Sequence, residues 1–227
     1  YIPWLRQQTG RPDADYFEHG VNCNSNVARP WDKEEHLHPT NWVTSEAVNY
    51  LKRRRDHDDP FFLFVSYHRP HPPYDPPAWA FEQYLHEKML PPPQADWAEE
   101  LFAGARQDHD PQAMVSRVPA ARLQRARAGY YGHMTHIDHQ VNRLLEMVRE
   151  YGHDDTWVCF VSDHGELLGD FDLWRKSLPY EGSARVPFLL AGPHNALPRG
   201  AVSDAPVGLQ DVMPTLLDAA GLPIPEG

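Results

Sequence analysis

Thr156-Trp157-Val158-Cys159-Phe160-Val161-Ser162 is a short apolar run that breaks directly into Asp163-His164-Gly165-Glu166. A run of this length, with turn residues beyond it, reads as a strand buried on both faces, the kind that builds parallel sheets. Two further runs match it. Phe61-Phe62-Leu63-Phe64-Val65-Ser66-Tyr67 follows the turn residues Asp58-Asp59-Pro60, and Val186-Pro187-Phe188-Leu189-Leu190-Ala191-Gly192 follows a polar loop. Between the first two lies the best helix, Tyr130 to Glu150. Its Ile137, Val141, Leu144, Leu145 and Val148 fall on one helical face, and Gly152 ends it. Buried strands alternating with amphipathic helices predict an α/β fold with a mostly parallel central sheet flanked by helices.

Working outward, residues 1–40 have no sustained period and are punctuated by proline and glycine, so they read as an irregular lead-in with one short helix. Residues 41–79 hold a helix, a strand and a loop dense in histidine and proline. Thr44 is the predicted N-cap of that helix, which runs from Ser45 to about Arg55 and closes on Lys52-Arg53-Arg54-Arg55. Residues 80–128 read as short helices joined by proline-rich connections, an insertion that shapes a pocket rim. Residues 129–227 carry the long helix, the strand that leads into Asp163 and the later elements, ending in a helix over 208–220 with Pro214 near its start.

The composition narrows the function classes. Of 227 residues, 41% are hydrophobic and 23% charged, ordinary globular usage that argues against wholesale disorder. A net charge of −11 argues against a general nucleic-acid or anionic-membrane binder, though a basic pocket can sit inside an acidic shell. No apolar run approaches the roughly 18–20 residues of a membrane span. Two cysteines, Cys23 and Cys159, make no disulfide framework. The chain opens on Tyr1 and closes on Pro225-Glu226-Gly227 without a leader pattern. It therefore reads as a processed or cut piece, with the compartment open between cytoplasm and periplasm.

Ligands of open parallel sheets bind beyond the C-terminal ends of the strands. Two such ends are unusually polar here: Tyr67-His68-Arg69-Pro70-His71-Pro72-Pro73 and Ser162-Asp163-His164-Gly165-Glu166. A carboxylate and an imidazole on consecutive residues before a glycine can turn toward one cation. Hard divalent ions prefer oxygen, which makes Asp163 the primary ligand and His164 an accessory one. Taken alone, Asp-His-Gly is more often simply a turn after a strand.

Its context is more specific. Ser162-Asp163-His164-Gly165-Glu166-Leu167-Leu168-Gly169-Asp170 precedes Leu173-Trp174-Arg175-Lys176, then Tyr180-Glu181-Gly182 and Arg185-Val186-Pro187. This stretch resembles the sulfatase family of the alkaline-phosphatase superfamily. Ser66-Tyr67-His68-Arg69-Pro70-His71-Pro72-Pro73 is similar to the family's substrate-contacting segment. Tyr130-Tyr131-Gly132 through Asp138 and Asp211-Val212-Met213-Pro214 are similar to the helices on either side of the metal strand. The matches run in family order over roughly residues 60–222. The resemblance implies an alkaline-phosphatase-like fold, here incomplete, and hydrolysis of a small-molecule or sugar sulfate ester. It makes Asp163 and His164 ligands of a divalent metal, usually calcium. Lys176 then contacts a sulfate oxygen, and His71 contacts the ester and protonates the leaving oxygen. A developing anion suits those residue types, because a fixed ammonium and a metal stabilise it without reorganising.

The departures matter as much. Family members carry a cysteine in C-x-P-x-R or C-x-S-x-R, converted to formylglycine. Cys23 is followed by Asn24-Ser25-Asn26-Val27, so the serine is present and the arginine missing, and Cys159 fails inside a strand. The family's N-terminal Asp-Asp pair and its lysine-and-histidine segment are absent too. The resemblance thus implies the later portion of a catalytic domain, inactive alone, with formylglycine expected upstream and a smaller C-terminal subdomain missing. Three other readings compete. A phosphonate monoester hydrolase or phosphodiesterase of the same superfamily would share the metal strand. A zinc-binding module would use His133, His136 and His139, three apart on a helix, or His68 and His71. The third is a non-enzymatic scaffold that kept the fold and lost the nucleophile.

Overall fold

A 31-residue helix, Ala120–Glu150, is the spine on which the helices Pro39–Arg54 and Ala78–Leu85 pack. The computed structural model describes residues 1–57, 59–193 and 196–225. Asp58 of the predicted turn, and Glu226 and Gly227 of the last three residues, lie outside the described residues. In chain order the helices are α1 (Ile2–Thr9), α2 (Pro39–Arg54), α3 (Ala78–Leu85), α4 (Asp96–Phe102), α5 (the spine), α6 (Glu181–Ala184) and α7 (Val212–Ala219). Two strands, β1 (Val158–Val161) and β2 (Phe188–Ala191), sit between α5 and α7. No described helix is long and apolar enough to cross a membrane.

The helices follow the sequence, with shifted starts. Helix α2 begins six residues before its predicted first residue: His38 is its N-cap, accepting the Thr40 N–H on its side chain, and Pro39 occupies the first turn. Thr44, the predicted cap, is buried inside the helix, and its hydroxyl donates to the Thr40 carbonyl. Helix α5 starts ten residues before Tyr130. Its N-terminal half packs through small residues rather than an apolar stripe. A Cβ on Gly129 would lie 2.7 Å from the Tyr74 Cβ, and one on Gly132 would lie 2.9 Å from the Pro76 ring, so these glycines let the helix approach the 74–76 segment closely. Around that contact Ala28, Tyr74, Phe81, Ala126, Ala128, Leu168 and Trp174 form the main buried cluster.

The sheet departs from expectation. Among the described residues it has two strands, paired antiparallel with Val158 opposite Ala191 and Val161 opposite Phe188, so a mostly parallel central sheet is not what these residues build. The reason lies in the connection. A parallel pair needs a crossover, usually a full helix, whereas the chain between β1 and β2 offers only four-residue α6 and irregular loops. The Phe61–Tyr67 run is extended but unpaired. Its odd residues face inward, where Tyr67 hydrogen-bonds Thr44, while Phe62 and Phe64 are 74% and 77% exposed. Its unbroken apolar character predicts cover on both faces; among the described residues it is covered on one.

Candidate functional site

His71 sits in a loop whose base is locked. Arg69, almost wholly buried, donates from Nε and Nη2 to the two oxygens of Asp75 at 2.7 and 2.9 Å. His19 Nε2 lies 2.9 Å from the same carboxylate and His133 Nε2 lies 3.2 Å from it, while the Asp75 N–H donates to His133 Nε2. Burial alone would raise the Asp75 pKa, but the close contacts of His133 and His19 and the charge of Arg69 hold it well below the usual range. Removing one partner of such a buried pair costs about 3–5 kcal/mol. From this base His71 projects half-buried. Its Nδ1 is 2.8 Å from the Pro72 carbonyl and donates there, so Nε2 is left free. Cys23 packs beside it, with Sγ 3.9 Å from Nδ1.

Asp163 and His164 leave the end of β1 in a loop stitched to α6. Gly165 and Glu166 donate their N–H groups to the Ser183 and Gly182 carbonyls at 2.7 and 2.8 Å. A Cβ on Gly165 would stand 2.1 Å from the Gly182 oxygen, so only glycine fits after Asp-His. Asp163 is exposed, and its Oδ1 accepts the His164 N–H. His164 Nδ1 donates to the Gly165 carbonyl at 2.8 Å, which aims a lone pair from Nε2, 3.6 Å from Asp163 Oδ2. A histidine fixed through its other nitrogen, beside a free carboxylate oxygen, is the donor arrangement a metal site uses. The pair fits one cation as a partial shell.

Lys176 follows buried Trp174, whose indole donates to the Ser116 carbonyl at 2.9 Å. Arg175 and Ser177 take positive φ of 67° and 90°, a tight turn that leaves the lysine half-buried. Burial first, then Lys176, His164 and Arg69, push the His71 pKa below the ordinary histidine value, against the opposing hydrogen bond to the Pro72 carbonyl. Lys176 and His164 thus lie within electrostatic reach of His71, and Asp163 adjoins His164.

Sequence reasoning missed a second cluster. His38, Asp75 and His133, all buried, place ligand atoms within 4.8 Å of one another, near enough to hold a metal ion. Asp75 and Nε2 of His133 are already partnered, whereas Nε2 of His38 has no hydrogen-bond partner among the described residues. Arg69 neutralises Asp75, and Nδ1 of His38 accepts the Thr40 N–H, which puts the proton of the neutral ring on Nε2. The signal in sequence is faint, because the contacts to Asp75 from His19 and His133 span 56 and 58 residues. The helical trio does not converge. His133 faces Asp75, His136 bonds Asn41 at 2.6 Å, and His139 is exposed against Trp79.

The Sulfatase family model matches residues 2–222. An arylsulfatase of Clostridium perfringens is 46% identical over the whole chain, which covers 47% of that protein. A choline-sulfatase of Rhizobium meliloti is 30% identical, again over the whole chain and 44% of the relative. Among solved structures, a phosphonate monoester hydrolase of Silicibacter pomeroyi superposes on 98% of the chain with a TM-score of 0.80 at 26% identity, 47% of that protein being covered. The chain spans about half the length of the curated relatives it matches.

Proposed function

Because this chain belongs to the Sulfatase family, we propose that it carries part of the active site of a sulfuric ester hydrolase of the arylsulfatase type. The reading is supported by the family match over residues 2–222 and by the electrostatic reach of Lys176 and His164 to His71, groups with the chemistry a sulfate ester needs. Asp163 Oδ2 and His164 Nε2 are the ligands this chain offers a divalent cation, calcium by family resemblance, which would supply charge against the ester oxygens. Lys176 holds a sulfate oxygen with its ammonium. His71, its ring orientation fixed by Pro72, meets the ester through Nε2. A proton carried there is held loosely, because the neighbouring positive groups favour its loss, and it passes to the leaving oxygen as the S–O bond breaks. The cysteine motif that supplies the family's formylglycine nucleophile has no match here, so the complete site needs residues beyond this chain. The substrate class is a small-molecule or sugar sulfate ester. Segment 80–128 serves as rim: its Trp97 stacks on Tyr180 at 5.8 Å and contacts Phe171, the residues that bracket the Lys176 turn.

A second reading, hydrolysis of a phosphonate monoester, is favoured by the likeness over nearly the whole chain to the Silicibacter enzyme. One experiment separates the roles and the readings in the complete protein that contains this chain. Asp163→Ala is expected to lose bound metal, measured by mass spectrometry. Lys176→Ala keeps the metal and loses roughly 100–1,000-fold in turnover of 4-nitrophenyl sulfate, the usual cost of one preorganised charge-stabilising group. Arg175→Ala, its neighbour, changes little. Silence of Lys176→Ala beside loss in Arg175→Ala would shift the register by one, and silence of both would remove the substrate contact. A higher kcat/KM on 4-nitrophenyl phenylphosphonate than on the sulfate would favour the second reading.

A further inference from the structure

Arg69 does more than close the loop. Besides its two bonds to Asp75, its remaining terminal nitrogen, Nη1, lies 2.8 Å from Nδ1 of His68. A guanidinium is a donor only, so Nδ1 must be the acceptor, and a neutral His68 then carries its hydrogen on Nε2. Asp75, itself contacted by His19 and His133, holds the guanidinium from the other side, so this tautomer is set by a buried, braced group rather than by solvent. No described residue hydrogen-bonds the Nε2, and His68 is exposed. Its ring lies 4.8 Å from that of His71, centroid to centroid, and Lys176 acts electrostatically on both rings.

We propose that His68 is a further substrate-binding residue, a neutral Nε2–H donor that Arg69 presents to the tetrahedral oxyanion held by Lys176 and His71. This rests on the reading of that site as the sulfate-ester site and adds a contact to it. The roles are complementary. Lys176 supplies charge, His71 is free to exchange a proton at Nε2, and His68 gives a hydrogen bond that does not come and go with protonation. Desolvation, then Arg69, His71 and Lys176, bring its pKa to about 4, so at neutral pH it stays an uncharged donor. A neutral imidazole also adds no further like charge beside Lys176.

The test uses the 227-residue chain, labelled with 15N at histidine, at pH 7.5, with inorganic sulfate as probe and sodium chloride at matched ionic strength as control. Long-range proton–nitrogen spectra should show His68 as the Nε2–H tautomer, and its Nε2 resonance should move saturably with sulfate and not with chloride. His68→Ala should weaken sulfate binding roughly tenfold, the usual size of one hydrogen bond to a charged group. His68→Gln, which keeps an N–H donor, should recover most of it. The side chain is exposed, but His68→Ala removes the acceptor of buried Arg69 Nη1, so the Tm of each variant is measured beside binding. His68→Gln, whose amide oxygen can accept from Arg69, is the variant that decides should His68→Ala fail to fold. An Nδ1–H tautomer at His68 would overturn the proposal. So would sulfate that shifts His71 equally well in wild type and His68→Ala, an outcome that leaves the site reading intact. Sulfate that shifts neither histidine would overturn the site reading itself, and this proposal with it.

Discussion

Three buried imidazoles set the sign of this protein's response to acid. Burial pushes His38 well below the ordinary histidine pKa, lowers His133, and takes His136 to about 3. Each is neutral when folded and takes up a proton near pH 6.5 once unfolded. The unfolded chain therefore binds more protons, so stability is present above about pH 6.5 and is lost progressively as pH falls below it. Asp75, held low, adds a further loss only below about pH 4. Glu166 has the opposite sign. Burial raises it to about 7, so its contribution is present below about pH 4.5 and fades as pH rises toward 7. Between pH 5 and 6.5 the lowered imidazoles, His68 and His71 among them, outnumber the raised carboxyls Glu166 and Asp170, so Tm should climb with pH across that window. His136→Gln should flatten the climb. A Tm that is level or falls from pH 5 to 6.5 would contradict this balance of protons.

At the scale of elements, legibility depends on whether packing leaves a periodic apolar trace. The C-terminal half of α5 leaves one, through Ile137, Val141 and Leu144, and its sequence predicts it. The N-terminal half packs Ala126, Ala128, Gly129 and Gly132 against Tyr74, Pro76 and α3, and small residues carry no hydrophobic period, so ten residues of helix escape the pattern. Pairing partners are equally invisible. The apolar runs mark the strands at 158–161 and 188–191, but their antiparallel register is decided by the absence of a helical crossover between them. The close approach in α5 gives a direct prediction. Gly129→Ala gains about 1 kcal/mol in helix propensity. It must also fit a methyl 2.7 Å from the Tyr74 Cβ and 3.0 Å from the Ala28 Cβ, atoms fixed to backbone. Overpacking of that kind costs about 1–3 kcal/mol, and contacts this short fall at the upper end. A net loss near 2 kcal/mol should lower Tm by roughly 4–8 °C. Gly104→Ala, with nothing within 4 Å of its new methyl, is the control and should leave Tm nearly unchanged.

At the scale of the whole molecule, the local parts of the proposed site are the ones the sequence can suggest, and the assembled contacts around it are not. Asp163-His164-Gly165 stands out because its chemistry lies on consecutive residues, and Lys176 and His71 because each sits in a dense motif. The Arg69–Asp75 clamp and its histidines do not, since chain folding alone brings His19 and His133 to Asp75. The same distinction bounds what the chain can do alone. Calcium takes 6–8 oxygen ligands, and the predicted site here offers one exposed carboxylate and one imidazole nitrogen, leaving most of the shell to water. Neither Cys23 nor Cys159 has the arginine that marks the family's nucleophile. Titration calorimetry on the isolated 227-residue chain should accordingly show calcium binding far weaker than micromolar, and Asp163→Ala should abolish what remains. The same preparation should not hydrolyse 4-nitrophenyl sulfate, with or without calcium. Turnover that co-elutes with the chain on gel filtration and scales with its concentration would mean that a nucleophile lies within these residues. Cys23, already 3.9 Å from His71, would then be the first side chain to replace.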